Sequence, residues 1–158
     1  MSQITPREAG LVGAVLDDAR LSAGLIADGF HVAREVLRLA LRLKPQLFLV
    51  SDAMSTVGSD LTKFTLNGRE IFRAGGRLTL ADGTLAGADI ALIDAVRHLH
   101  LSLGLPLEHA LSLASAAPAR ALGLTDRGTL LPGMRADFFC LTPDITCGAT
   151  WIGGRPVA

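Results

Sequence analysis

The segment LFLVSDA, Leu47 to Ala53, ends an apolar run with an acidic side chain. A carboxylate placed there, Asp52, can serve as general base and general acid towards a group within hydrogen-bond reach. It can equally cap the turn that follows, SDAMSTVGSD, as strand-end aspartates often do. His31 takes the equivalent place one strand earlier, just beyond LSAGLIADG with Phe30 between. A histidine just before a helix can simply fill its first turn, and a neutral ring there is also a good hydrogen-bond partner for a polar ligand. The two readings are compatible. Arg7 stands beside Glu8. It is either half of a solvated charge pair or an anion-binding guanidinium, whose forked donors suit a phosphate.

Other candidates carry less. His98 and His100 form an HxH pair inside AVRHLHLSLG. On a helix, positions i and i+2 point about 200° apart, which forbids a shared metal. These two and His109 are expected at the surface or an interface. The segment ADGTLAGAD, Ala81 to Asp89, is glycine-rich and leads towards a helix. As a loop, its backbone N–H groups could receive a polar or anionic ligand. It is neither GxGxxG nor a P-loop.

The elements that must position these residues follow from periodicity. LVGAVLDD reads as a short helix and LSAGLIADG as a strand. In VAREVLRLALRLK, Val32, Val36, Leu39, Ala40 and Leu43 recur at helical spacing, with Arg34, Arg38 and Arg42 on another face. Pro45 stops that helix, and QLFLV follows as a strand. Strand, helix, strand is a βαβ unit, so the two strands should be parallel. Functional groups in such units gather at the C-terminal strand ends, where His31 and Asp52 both fall.

Beyond Asp52 the pattern changes. FTLNGREIFRAGGRLTLADGTL reads as hairpins turned by Asn67-Gly68, Gly75-Gly76 and Asp82-Gly83. ADIALIDAVRHLHLSLG predicts a helix started by Asp89 and stopped at Gly104. A helix over Leu107 to Ser115, a short turn holding Pro118, and a strand-rich tail complete the chain.

Composition narrows the class. The chain has 158 residues, 49% hydrophobic, with no formal net charge. That argues for a buried core and against disorder. No basic stripe suggests a nucleic-acid partner. No apolar run reaches the roughly 18 residues of a membrane span, and MSQITPREAG lacks the layout of a secretory signal. Cys140 and Cys147 lack CxxC spacing and read as reduced thiols of a cytoplasmic protein.

Taken in order, ITPREAGL, ADGFHV, LVSDAM, DGTLAGAD, ASAAPARALGL and GTLLPGMRADFFCL resemble the N-acetylglucosamine-6-phosphate deacetylases of the amidohydrolase superfamily. The last motif is common to many amidohydrolases. ADGFHV and DGTLAG point to the deacetylases themselves. The resemblance implies an α/β fold: the C-terminal portion of a metal-dependent hydrolase (β/α)8 barrel over residues 1–125, and strands of a small β-sandwich domain over 126–158. It implies hydrolysis of the acetamide of N-acetylglucosamine 6-phosphate to glucosamine 6-phosphate and acetate.

It also implies roles. Asp52 matches the catalytic aspartate, which takes a proton from a metal-activated water and later delivers one to the leaving amine. His31 matches a substrate-contacting histidine. Arg7 matches an arginine that binds the sugar phosphate across a homodimer interface. Leu85, Ala86 and Gly87 match a loop that closes over the sugar, and Met1 matches the end of an H-x-x-N-A-M segment. Pro6 stands where the family usually has glycine.

The family's divalent metal, zinc or iron, is held by a glutamate and two histidines that fall before Met1. A whole barrel takes about 250 residues. The expectation is therefore a C-terminal portion without metal ligands of its own, inactive in isolation and with an open sheet edge. Two other readings stand beside this one. One is a non-catalytic remnant or sugar-phosphate-binding or dimerisation module; the other is an amidohydrolase for a different amide.

Overall fold

The computed structural model describes residues 2–157. The expectation placed on Met1 lies outside them. The chain opens with helix α1, Gly10–Asp17, strand β1, Ala23–Leu25, helix α2, Arg34–Leu43, and strand β2, Leu47–Leu49. β1 and β2 pair in parallel, Ala23 with Leu47 and Leu25 with Leu49. The predicted βαβ unit is present. The two strands form an open sheet of their own, and no closed barrel is formed among the described residues.

A four-stranded antiparallel meander follows, in the order β3 (Lys63–Leu66), β4 (Arg69–Ala74), β5 (Arg77–Thr79), β6 (Leu85–Ala88). Asn67 and Gly68 both take positive φ between β3 and β4, as a two-residue hairpin turn requires. The last sheet joins β7 (Phe138–Leu141), β8 (Cys147–Ile152) and β9 (Arg155–Val157), again antiparallel. The rings of Phe138 and Trp151 stack across β7 and β8 at 4.7 Å. Cys140 and Cys147 are free and exposed.

Between the sheets run α3 (Leu92–Arg97), a π-helical turn (His98–Ser102), α4 (Leu107–Ala114) and α5 (Ala116–Ala121). The helix expected from Asp89 starts later. Ala91 is its N-cap, and the Asp94 carboxylate accepts the Ala91 N–H at 2.9 Å. Asp89 is drawn away by other partners, described below. Gly104 stops the segment as expected, with φ +77 and its N–H bonded to the His100 carbonyl.

The core lies between β1–β2 and the helices. Leu25, Leu37, Leu47, Leu49, Val96 and Leu99 meet there. Complete burial of Leu37 contributes roughly 1.5–3 kcal/mol. The apolar face expected for α2 is only partly the buried one. Val36, Leu39 and Leu43 are exposed; of the expected face Ala40 is buried and Val32 packs against the core, and Leu37, outside that face, is fully buried. The helix is apolar on two stripes, and the sheet takes the one that includes Leu37 and Ala40. Lys44, at the end of α2, is also buried, and its ammonium is satisfied by the Asp18 carbonyl beyond α1. No helix is long and apolar enough to cross a membrane among the described residues.

Candidate functional site

Two loops leave adjacent parallel strands. The first, after β1, carries Asp28, Gly29, Phe30 and His31. The Asp28 side chain is 2% exposed and accepts three hydrogen bonds. Oδ1 takes the N–H groups of Phe30 and His31, each at 2.9 Å, and Oδ2 meets His31 Nδ1 at 2.7 Å. Burial pushes the Asp28 carboxyl up. The bonds from the two amides and from the ring outweigh that and hold it below the ordinary carboxylate value. With Nδ1–H donating to Asp28, Nε2 is the free nitrogen of the His31 ring.

The loop is held from outside as well. Arg77, on β5, lies 4.4 Å over the Phe30 ring. That cation–π contact ties the loop to the meander. The His98 ring lies against Gly29.

The second loop, after β2, carries Asp52. Its carboxylate is exposed and has no hydrogen-bond partner among the described residues. Its backbone takes φ +51, a left-handed conformation that aspartate tolerates better than most side chains. The strain has a visible cause. Ala53 pairs with Ala88 in a parallel bridge, so the Ala88 N–H bonds to the Asp52 carbonyl at 2.9 Å. Beyond it, Thr56 is fully buried and donates to Asp89 Oδ1 at 2.8 Å. Arg73 Nε donates to Asp89 Oδ2 at 2.6 Å, and Arg73 Nη1 to the Ser59 carbonyl at 2.7 Å. The meander thus grips both ends of the Asp52 loop.

Leu85, Ala86 and Gly87 are strand β6 and not a loop. Leu85 pairs with Thr79 and Ala88 with Arg77 on β5, with an irregularity between, so the loop part of the segment is confined to residues 81–84. The strand nevertheless lies beside Asp52. A Cβ on Gly87 would stand 2.5 Å from Met54 Cγ. Arg7 is exposed in a turn closed by Thr5 and Glu8. No ion pair joins it to Glu8, and no hydrogen bond ties it to His31 or Asp52, among the described residues.

The histidine pair separates as geometry requires. His100 Nδ1 meets the Leu105 carbonyl at 2.7 Å, while His98 faces Gly29. His98 is half-buried, and its Nε2 is shielded from solvent. His109 is exposed. No group of three or more His, Cys, Asp or Glu could hold a metal among the described residues, so these residues do not fit the family's metal by themselves.

The sequence reading missed Asp28 as the residue that orients His31. The D-x-x-H spacing was the available signal, since an aspartate often bonds the backbone two or three residues on. Nothing local pointed to His98, Arg77 or the Thr56–Asp89–Arg73 network, which join distant segments.

Residues 54–158 match the model of an amidohydrolase family. The chain belongs to that family. It is 36% identical to an N-acetylgalactosamine-6-phosphate deacetylase of Shewanella over 98% of its own length and 40% of the relative's. It spans 38–42% of most of the curated relatives it matches. The N-acetylglucosamine-6-phosphate deacetylase structure from Pasteurella multocida superposes with a TM-score of 0.93 at 32% identity, covering 98% of this chain and 41% of that one. A variant of the Mycobacterium smegmatis deacetylase, solved with N-acetyl-D-glucosamine-6-phosphate, gives 0.89 at 32%, covering 99% and 42%.

Proposed function

We propose that this amidohydrolase chain carries the His31 and Asp52 side of a site that deacetylates N-acetylglucosamine 6-phosphate. The observation that supports it most is the Asp28–His31 pair, which leaves one ring nitrogen free on the loop after β1, while the loop after the paired strand β2 carries the exposed Asp52. His31 then holds the sugar, and Asp52 moves the proton between the attacking water and the leaving amine. Arg7 binds the phosphate across a homodimer interface, and β6 borders the sugar. A divalent metal, zinc or iron, supplies water activation in this chemistry, and no group of three or more donors that could hold it converges among the described residues.

Relatives named for the galactosamine and the glucosamine substrates match at similar identity, 36% and 38%. The ADGFHV and DGTLAG motifs support a sugar-phosphate deacetylase over other amidohydrolases, and titration separates the two epimers. Titrating the chain with glucosamine 6-phosphate and galactosamine 6-phosphate tests the reading. Binding of the first, lost on His31→Ala, is expected; no binding of either overturns it. A second reading, a sugar-phosphate-binding module without turnover, is favoured by the donor set alone. Binding together with acetate release from the N-acetyl compound would reject that second reading.

A further inference from the structure

The helix that begins as α3 changes at His98 into the π-helical turn His98–Ser102. Such turns re-aim the side chains they carry and recur at functional sites. The re-aimed ring here lies under the loop that presents His31. A Cβ on Gly29 would sit 3.4 Å from His98 Cε1 and 3.7 Å from Nε2. Gly29 has φ +80 and so offers bare backbone to the ring. His98 Nε2 is shielded from solvent and has no hydrogen-bond partner among the described residues. His100, two residues on, shows the ordinary outcome, with its Nδ1 paired to a carbonyl. A buried polar atom without a partner carries a cost that an apolar side chain of similar size would not.

The geometry points to His98 as a positioning residue for His31, acting through Gly29. Without ligand, Nε2 is unpaired. When a ligand engages His31, the loop settles on the ring and its backbone supplies the missing partner. No hydrogen bond joins His98 to the His31 ring among the described residues, and His98 acts on the loop backbone. This inference rests on the proposal that His31 holds the sugar phosphate.

The test pairs thermal unfolding with calorimetric titration of glucosamine 6-phosphate. It uses the 158-residue chain and its His98→Met, His98→Gln and His31→Ala variants. His98→Met loses the unpaired nitrogen and is expected to melt about 2–4 °C higher. It also loses the ligand-linked bond and is expected to bind roughly tenfold more weakly. His98→Gln keeps a polar end on the side chain and is expected to bind within about threefold of wild type.

A side chain that only fills space cannot give opposite signs. Unchanged binding in His98→Met, a lower melting temperature, or failure of that variant to fold overturns the inference, as does weak binding by His98→Gln. If the wild type does not bind, or His31→Ala binds as well as the wild type, the proposal for His31 fails and this inference falls with it. That failure is visible without any change at His98.

Discussion

Asp28 holds His31 by its ring and by its backbone at once. One carboxylate oxygen meets His31 Nδ1 at 2.7 Å while the other accepts the His31 N–H at 2.9 Å. The residue that turns the chain after β1 therefore also decides which ring nitrogen stays free.

Replacing Asp28 with Asn removes the charge that these three donors share. The expected loss at neutral pH is about 1.5–3 kcal/mol, the range for hydrogen bonds to a charged group. The sign of the pH dependence follows from the lowered carboxyl. A folded pKa below the unfolded one gives stability that is present above the unfolded value, about 3.9. It is lost as pH falls through the folded value. Urea unfolding should show Asp28→Asn less stable at neutral pH and with a shallower acid decline. Parallel acid declines for the two proteins would contradict this account.

At Asp52, stability and function should separate. The side chain makes no hydrogen bond among the described residues, and Asn also tolerates the left-handed backbone, so Asp52→Asn should change stability by less than about 0.5 kcal/mol. Asp52→Val puts a β-branched residue at φ +51 and should cost about 1–3 kcal/mol. If Asp52 moves the proton, Asp52→Asn in the native enzyme abolishes deacetylation without unfolding it. Retained turnover in a folded Asp52→Asn protein would remove Asp52 from the chemistry.

The βαβ unit, the hairpin turns and the strand-end places of His31 and Asp52 were legible because each rests on local signals. Helical spacing, Pro45, Asn67-Gly68 and the apolar run into Asp52 all lie within a few residues of what they specify. The misses share the opposite cause. β6 was read as a loop because its strand character comes from pairing with β5 and from the Ala53–Ala88 bridge. The buried stripe of α2 was misjudged because the helix offers two apolar stripes, and only the sheet beneath selects one. Asp89 looked like a helix start until Arg73 and Thr56 claimed its two oxygens.

Gly87 has two reasons to be glycine: φ +83 and the Met54 side chain at the place a Cβ would fill. Gly87→Ala should cost about 1–3 kcal/mol and displace the Met54 side chain. Adding Met54→Ala should relieve the clash but not the backbone strain, so recovery should be partial. Full recovery would mean the backbone at Gly87 is unstrained.

The Asp89 side chain is 4% exposed and sits between Thr56 and Arg73. Asp89→Ala leaves the Thr56 hydroxyl and Arg73 Nε without their acceptor, and removing one partner of a buried pair typically costs about 3–5 kcal/mol. Arg73 is partly exposed, 32%, which moves the expectation to the low end. Hydrogen exchange should rise across residues 54–61 more than across β7–β9. A uniform rise would show that the network does not act locally on the Asp52 loop.

Turnover by the 158-residue chain supplied with zinc is the sharpest check on what Asp52 can do alone. Amide hydrolysis at neutral pH needs an activated water and a polarised carbonyl, and a metal supplies both in this class of chemistry. Catalytic zinc is commonly held by three protein donors and keeps one open position. Among the described residues no three donors converge, and Asp28 already occupies one nitrogen of His31. A lone exposed carboxylate contributes proton transfer, a factor of roughly 10²–10⁴, against total accelerations of about 10⁶ or more for enzymes. The expected result is sugar-phosphate binding without acetate release above the zinc-only control. Metal-dependent release abolished by Asp52→Asn would mean that a second copy, or a rearrangement of this chain, brings the missing donors together.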